Sequence, residues 1–160
     1  MNIFALSWSE ILQDLGKLVF AYLLAVPIGL NREREERSAG VRTFPIVALA
    51  SCGVAIVATR LPHATPDSYS RIIQGLITGI GFVGAGAILK ERGGVSGTAT
   101  AASVWNVGIM GAAAGLEMFH VSLVLGFVNF LTLKYMKQQE ARGDRTGEGT
   151  FGSPREGSDQ

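Results

Sequence analysis

The sequence predicts an all-α fold: a polytopic membrane helical bundle of five transmembrane helices, N-terminus outside and C-terminus in the cytoplasm. Three observations carry this. Hydrophobic residues make up 48% of the 160-residue chain, and its mean hydropathy of +0.30 is high for a soluble protein. Nearly all charges fall in short clusters separated by long stretches without them. Those stretches approach the roughly 20 mainly apolar residues that cross a hydrocarbon layer. Helices of a soluble bundle carry a polar stripe on their outer side. These segments carry none, which excludes the soluble alternative.

The first span covers about residues 11–30. Asp14 and Lys17 near its start are spaced to pair, and Lys17 can snorkel to the interface. Pro27 is placed to kink this helix near its end. The second span covers residues 43–59, with Pro45 in the first turn, where proline is tolerated. The third, fourth and fifth cover about 72–89, 98–116 and 118–135. Almost nothing separates the last two, so a tight helical hairpin is expected. These spans form one domain, residues 1–137. Residues 138–160 are polar and glycine-rich, too poor in large apolar side chains to fold, and read as a disordered cytoplasmic tail. Met1–Glu10 lacks the basic segment of a cleavable signal, so no processing is expected.

Positive charge orients the set, because Lys and Arg accumulate on the cytoplasmic side. One side receives Arg32, Arg34, Arg37, Arg42, Lys90, Arg92, Lys134, Lys137, Arg142, Arg145 and Arg155; the other receives Lys17, Arg60 and Arg71. The net charge of +1 offers no basic surface for nucleic acid. Cys52, the single cysteine, lies in an apolar run and reads as packing.

Several motifs invite chemistry and do not support it. Gly79-Ile80-Gly81-Phe82-Val83-Gly84 formally matches a dinucleotide fingerprint, but that motif needs a preceding strand and turn. Gly75, Gly79, Gly81, Gly84 and Gly86 fit close helix packing instead, and Ala99, Ser103, Gly108, Gly111 and Gly115 do so in the fourth span. The third and fourth spans are thus expected to form the tight centre of the bundle. Gly94-Val95-Ser96-Gly97 resembles an intramembrane protease motif, yet His120 falls at the opposite end of the span, too far for a dyad. Ser96 reads as a turn or N-cap residue. The loop from Asn31 to Arg37 holds Arg32–Glu36 and Glu33–Arg37 pairs that favour helical continuation, and it could dock anionic lipid or a partner. Asn106 is the costliest polar group near mid-membrane. No Asp or Glu lies in the centre of any span, so a monomeric Mg²⁺ pore is poorly equipped. Neither a metal site, a cofactor site nor a catalytic constellation is read from the sequence.

Ile28-Gly29-Leu30-Asn31-Arg32-Glu33, Ala39-Gly40-Val41-Arg42-Thr43, the block from Gly79 to Leu89, and Thr100-Ala101-Ala102-Ser103-Val104-Trp105 occur in order along the chain. Together they resemble the N-terminal membrane domain of the MgtC/SapB family. Asn31 stands where the family pattern has Glu, Phe44 where many members have His, and Asp67 precedes Arg71 by four positions instead of three. The resemblance implies a non-enzymatic protein of the bacterial inner membrane, tied to Mg²⁺ homeostasis and stress adaptation. It further implies a membrane-protein partner such as an ATP synthase or a transport ATPase. The short form without the extra cytoplasmic domain is expected. A small-ion or solute transporter is the competing class, and self-association into a homo-oligomer fits either. The polar candidates for function are Arg42, Thr43, Asp67, Arg71, Thr100, Trp105 and Asn106. Asp67 and Arg71 are spaced to pair and fix the entry of the third helix.

Overall fold

The computed structural model describes residues 7–33, 40–62, 65–91 and 94–147. Its elements are α1 (Trp8–Glu33), α2 (Thr43–Arg60), α3 (Pro66–Ala85), β1 (Leu89–Glu91), β2 (Gly94–Ser96), α4 (Thr98–Gly115) and α5 (Phe119–Gly147). The helical class therefore matches the sequence reading, with a small hairpin added. Trp8–Arg32 and Thr43–Arg60 are long and apolar enough to cross a membrane, and Phe119–Tyr135 is a shorter apolar segment. Polar residues dilute α3 in its first half, and Thr, Ser and Gly dilute α4.

Each helix starts where local chemistry dictates. At α1, Glu10 accepts from the Ser7 backbone N–H at 2.9 Å while Ser7 Oγ accepts from the Glu10 N–H, a capping box. The Ser7 N–H holds the Glu10 carboxyl below its ordinary range. Pro27 lies inside α1 without ending it. At α3, Thr65 Oγ1 accepts from the Ser68 N–H and Pro66 pre-sets the first turn. The α4–α5 turn is a Schellman motif: Met118 N–H bonds the Ala113 carbonyl and Glu117 N–H that of Ala114. Glu117 occupies its left-handed position (φ 64°), where glycine is the usual residue.

α4 lies at the centre and meets all four other helices. Its small residues let backbones approach. A Cβ at Gly111 would lie 2.8 Å from Ala48 Cα, and one at Gly115 would lie 2.5 Å from the Cys52 carbonyl oxygen. Around this crossing the core gathers Ile28, Phe44, Cys52, Val104, Val107 and Met110. α3 is peripheral, with only Ile80 and Gly84 buried.

Four expectations need correction. The third span ends at Ala85, not near residue 89, because Gly86 and Ala87 turn the chain into β1. β1 pairs antiparallel with β2 in the register Leu89↔Ser96, Lys90↔Val95, Glu91↔Gly94. Ser96 accordingly sits in a strand, and Gly97 caps α4 with φ 85°, its Cα against the Ala87 carbonyl, where no side chain fits. The tight centre lies between α4 and α2, with α3 reaching α4 through Ile80 at Gly108 and Gly84 at Ala101. Finally, α5 runs on to Gly147, past the residue at which a disordered tail was expected to begin. Residues 148–160, and residues 34–39 with their Arg32–Glu36 and Glu33–Arg37 pairs, lie outside the described residues.

Candidate functional site

The structure distributes the candidate residues over three levels. At one end, Gly29 of α1 packs on the Gly40–Val41 backbone, with a would-be Cβ only 3.0 Å from Val41 Cα. Two motifs far apart in sequence are thereby joined: the turn that carries Arg42 and Thr43 rests on the last turns of α1. Arg32, next to this contact, is 6% exposed. Arg42 is exposed and precedes α2 without a side-chain cap, and Thr43 opens the helix. Thr100 is buried on α4, while Trp105 is nearly half exposed.

At the middle level, α4 and α5 enclose a groove of about 450 Å³ lined by Thr98, Ala99, Ala102, Ser103, Asn106, Val128, Asn129, Thr132 and Leu133. Ser103 Oγ donates to the Ala99 carbonyl at 2.8 Å and lies 3.1 Å from Asn129 Oδ1. Thr132 donates to Val128 O. Asn106 Oδ1 and Asn129 Nδ2 are buried and have no partner among the described residues. A buried amide group left unpaired costs about 1–3 kcal/mol. Asn106 was therefore correctly singled out, whereas Asn129 was not, although its presence in an apolar span was a visible signal.

At the other end, a charge cluster ties α1, α2 and the α4–α5 turn together. Arg60 bonds Asp14 at 2.8 Å, and Lys17 meets Glu117 at 2.7 Å. The expected Asp14–Lys17 pair is looser, at 3.9 Å, because each residue has a better partner on another helix. The Lys17 ammonium, through its hydrogen bond and charge, holds the Glu117 carboxyl below its ordinary range. Sequence reasoning missed these cross-helix pairs; the signal was that all four residues fall at the same level once the helices alternate. Asp67 and Arg71 are both exposed and form no ion pair with each other, so Thr65, not that pair, fixes the start of α3.

The glycines divide sharply. Gly84 approaches the Ala101 carbonyl and Gly86 that of Val83, whereas a Cβ at Gly75, Gly79 or Gly81 would meet nothing within 4 Å. The close packing expected of Gly75 and Gly79 is thus not made within this chain. Both instead line an open groove of about 390 Å³ facing Val47, Ala50, Ser51 and Val54 of α2. Ser96 and His120 flank opposite ends of α4, whose 18 residues span about 27 Å, so no dyad forms.

The sequence model of the MgtC family matches residues 18–142. The chain is 36% identical over 150 residues to Protein SrpB of Synechococcus elongatus, covering 86% of this chain and 82% of that protein. It is 35% identical over 121 residues to Protein SapB of Bacillus subtilis, covering 71% and 52%. It is 39% identical over 106 residues to Protein MgtC of Salmonella typhimurium, covering 66% and 45%. The chain therefore spans most of SrpB but only about half the length of SapB and MgtC. No solved structure matches it.

Proposed function

The chain belongs to the MgtC family, and from that premise we propose that it is a non-enzymatic, multi-pass protein of the bacterial inner membrane that supports Mg²⁺ homeostasis and stress adaptation by regulating another membrane protein. An ATP synthase or a transport ATPase is the kind of partner intended. The five helices all span the bilayer in this reading, with the N-terminus outside. The bias of 11 positive residues against 3 between the two sides supports that orientation.

The observation that carries the regulatory reading is the open glycine face of α3. In a membrane, lipid tails are as apolar as leucine, so helices associate where small residues let backbones approach. Gly75 and Gly79 present such a face beside α2, and no helix of this chain fills it. Phe82, 83% exposed, and Val83 extend it with apolar surface. A helix from another protein fits this seat. Ion conduction has weaker support: the polar groups at mid-span are neutral amides and hydroxyls, and Mg²⁺ sheds its water only for strong oxygen ligands such as carboxylates.

Gly79→Leu fills the seat, and Arg42→Gln removes the exposed guanidinium before α2. Both variants should reach the membrane at parental levels and lose growth support under Mg²⁺ limitation. Growth like the parent, or absence from the membrane, would refute the assignment. Arg71 and Asn106 belong to the same functional set in this proposal.

A further inference from the structure

The α4–α5 groove poses a chemical problem that the chain leaves unsolved. Asn129 is 7% exposed, lines the groove, and keeps an unpaired Nδ2. Asn106 lines the same groove with a buried, unpaired Oδ1. The hydroxyls of Ser103 and Thr132 are spent on backbone carbonyls of their own helices. One donor and one acceptor remain on a single surface. Within hydrocarbon no water reaches them, so the partner must be protein.

We propose that a second copy of this chain covers the groove, with Asn129 Nδ2 of each copy donating to the partner subunit's Asn106. A two-fold axis makes residue i meet residue j of the other copy, and j meet i. The leftover donor and acceptor are therefore satisfied twice over by one operation, with no further group required. A foreign helix would have to bring its own donor and acceptor at matching spacing. The surface also suits self-pairing electrostatically: none of the groove residues ionises, so identical faces do not repel. Ala99 and Ala102 keep the floor and rim shallow enough for backbones to approach. The inference rests on the membrane placement of α4 and α5 in the reading above, and is independent of which protein is regulated.

The test is energy transfer between donor- and acceptor-labelled full-length chains in liposomes at falling protein-to-lipid ratio. The parent should pair, and Asn106→Ala and Asn129→Ala should each weaken pairing at least tenfold. Ala102→Phe keeps both amides but fills the groove from an exposed position, so it should fold and pair at least tenfold more weakly. That variant decides the matter even if an asparagine variant fails to fold. A parent that stays monomeric throughout, or an Ala102→Phe chain that pairs like the parent, would overturn the proposal. Gly79→Leu should pair normally; a parental growth phenotype for it alongside intact pairing would strike the regulatory reading alone.

Discussion

Gly111→Ala bears directly on the α2–α4 crossing at the centre of the bundle. The added Cβ would lie 2.8 Å from Ala48 Cα and 2.9 Å from its carbonyl carbon, with the carbonyl oxygen nearer still. Ordinary contact starts at 3.4 Å, so the two backbones would have to separate by at least about 0.6 Å; a gap of that size removes roughly a quarter to a half of each dispersion contact it opens. The helices cannot tilt to escape, because Gly115 one turn on is held against Cys52 and Ala55. Overpacking of this kind costs about 1–3 kcal/mol, and alanine returns up to about 1 kcal/mol in helix propensity. A net loss of about 1–2 kcal/mol corresponds to a melting temperature roughly 2–8 °C lower for a chain of this size. The assay is thermal unfolding of purified protein in detergent, followed by tryptophan fluorescence, with Gly79→Ala as control. At Gly79 the new methyl meets nothing within 4 Å, so that variant should melt at or slightly above the parent. Equal melting of the two variants would refute the crossing.

Two further outcomes follow from the ends of the bundle. Glu117 has its pKa lowered from 4.5 by Lys17, so the stabilisation it provides is complete above 4.5 and is lost as pH falls through the lowered value. Melting of the parent between about pH 5 and about pH 3.5 should therefore fall more than that of Glu117→Gln, and parallel curves would show that the pair adds nothing. Reporter fusions after Lys137 should report cytoplasm and fusions near Pro62 the outside, and the opposite result at either point would sink the five-span topology.

Hydropathy made most of the helices legible. The bounds of α1, α2 and α4 lie within a few residues of those read from the charge-free stretches, since burial in lipid demands both length and apolarity. It misled at the end of α3, because Ala87-Ile88-Leu89 is as apolar in a strand as in a helix. The hairpin had a signal in Gly93-Gly94 between two polar-flanked segments, which the surrounding apolar run obscured. Which glycines pack was not legible. Spacing marks Gly75 and Gly79 as well as it marks Gly111 and Gly115, but only the facing backbone separates a crossing from an open seat. At the polar level, Asn106 stood out by its desolvation cost. Its counterpart Asn129 emerged only when α4 and α5 were laid side by side, as did the Asp14–Arg60 and Lys17–Glu117 pairs.

The central claim is that this membrane protein acts on another protein and carries no ion itself. Mg²⁺ flux into liposomes reconstituted with the purified full-length chain tests it most directly, with an internal Mg²⁺-sensitive dye as readout and empty liposomes as reference. The account predicts uptake indistinguishable from that of the empty vesicles, at any protein density. Sustained, saturable Mg²⁺ uptake that scales with protein and disappears in Asn106→Ala would contradict it and make the neutral α4–α5 groove a conduction path.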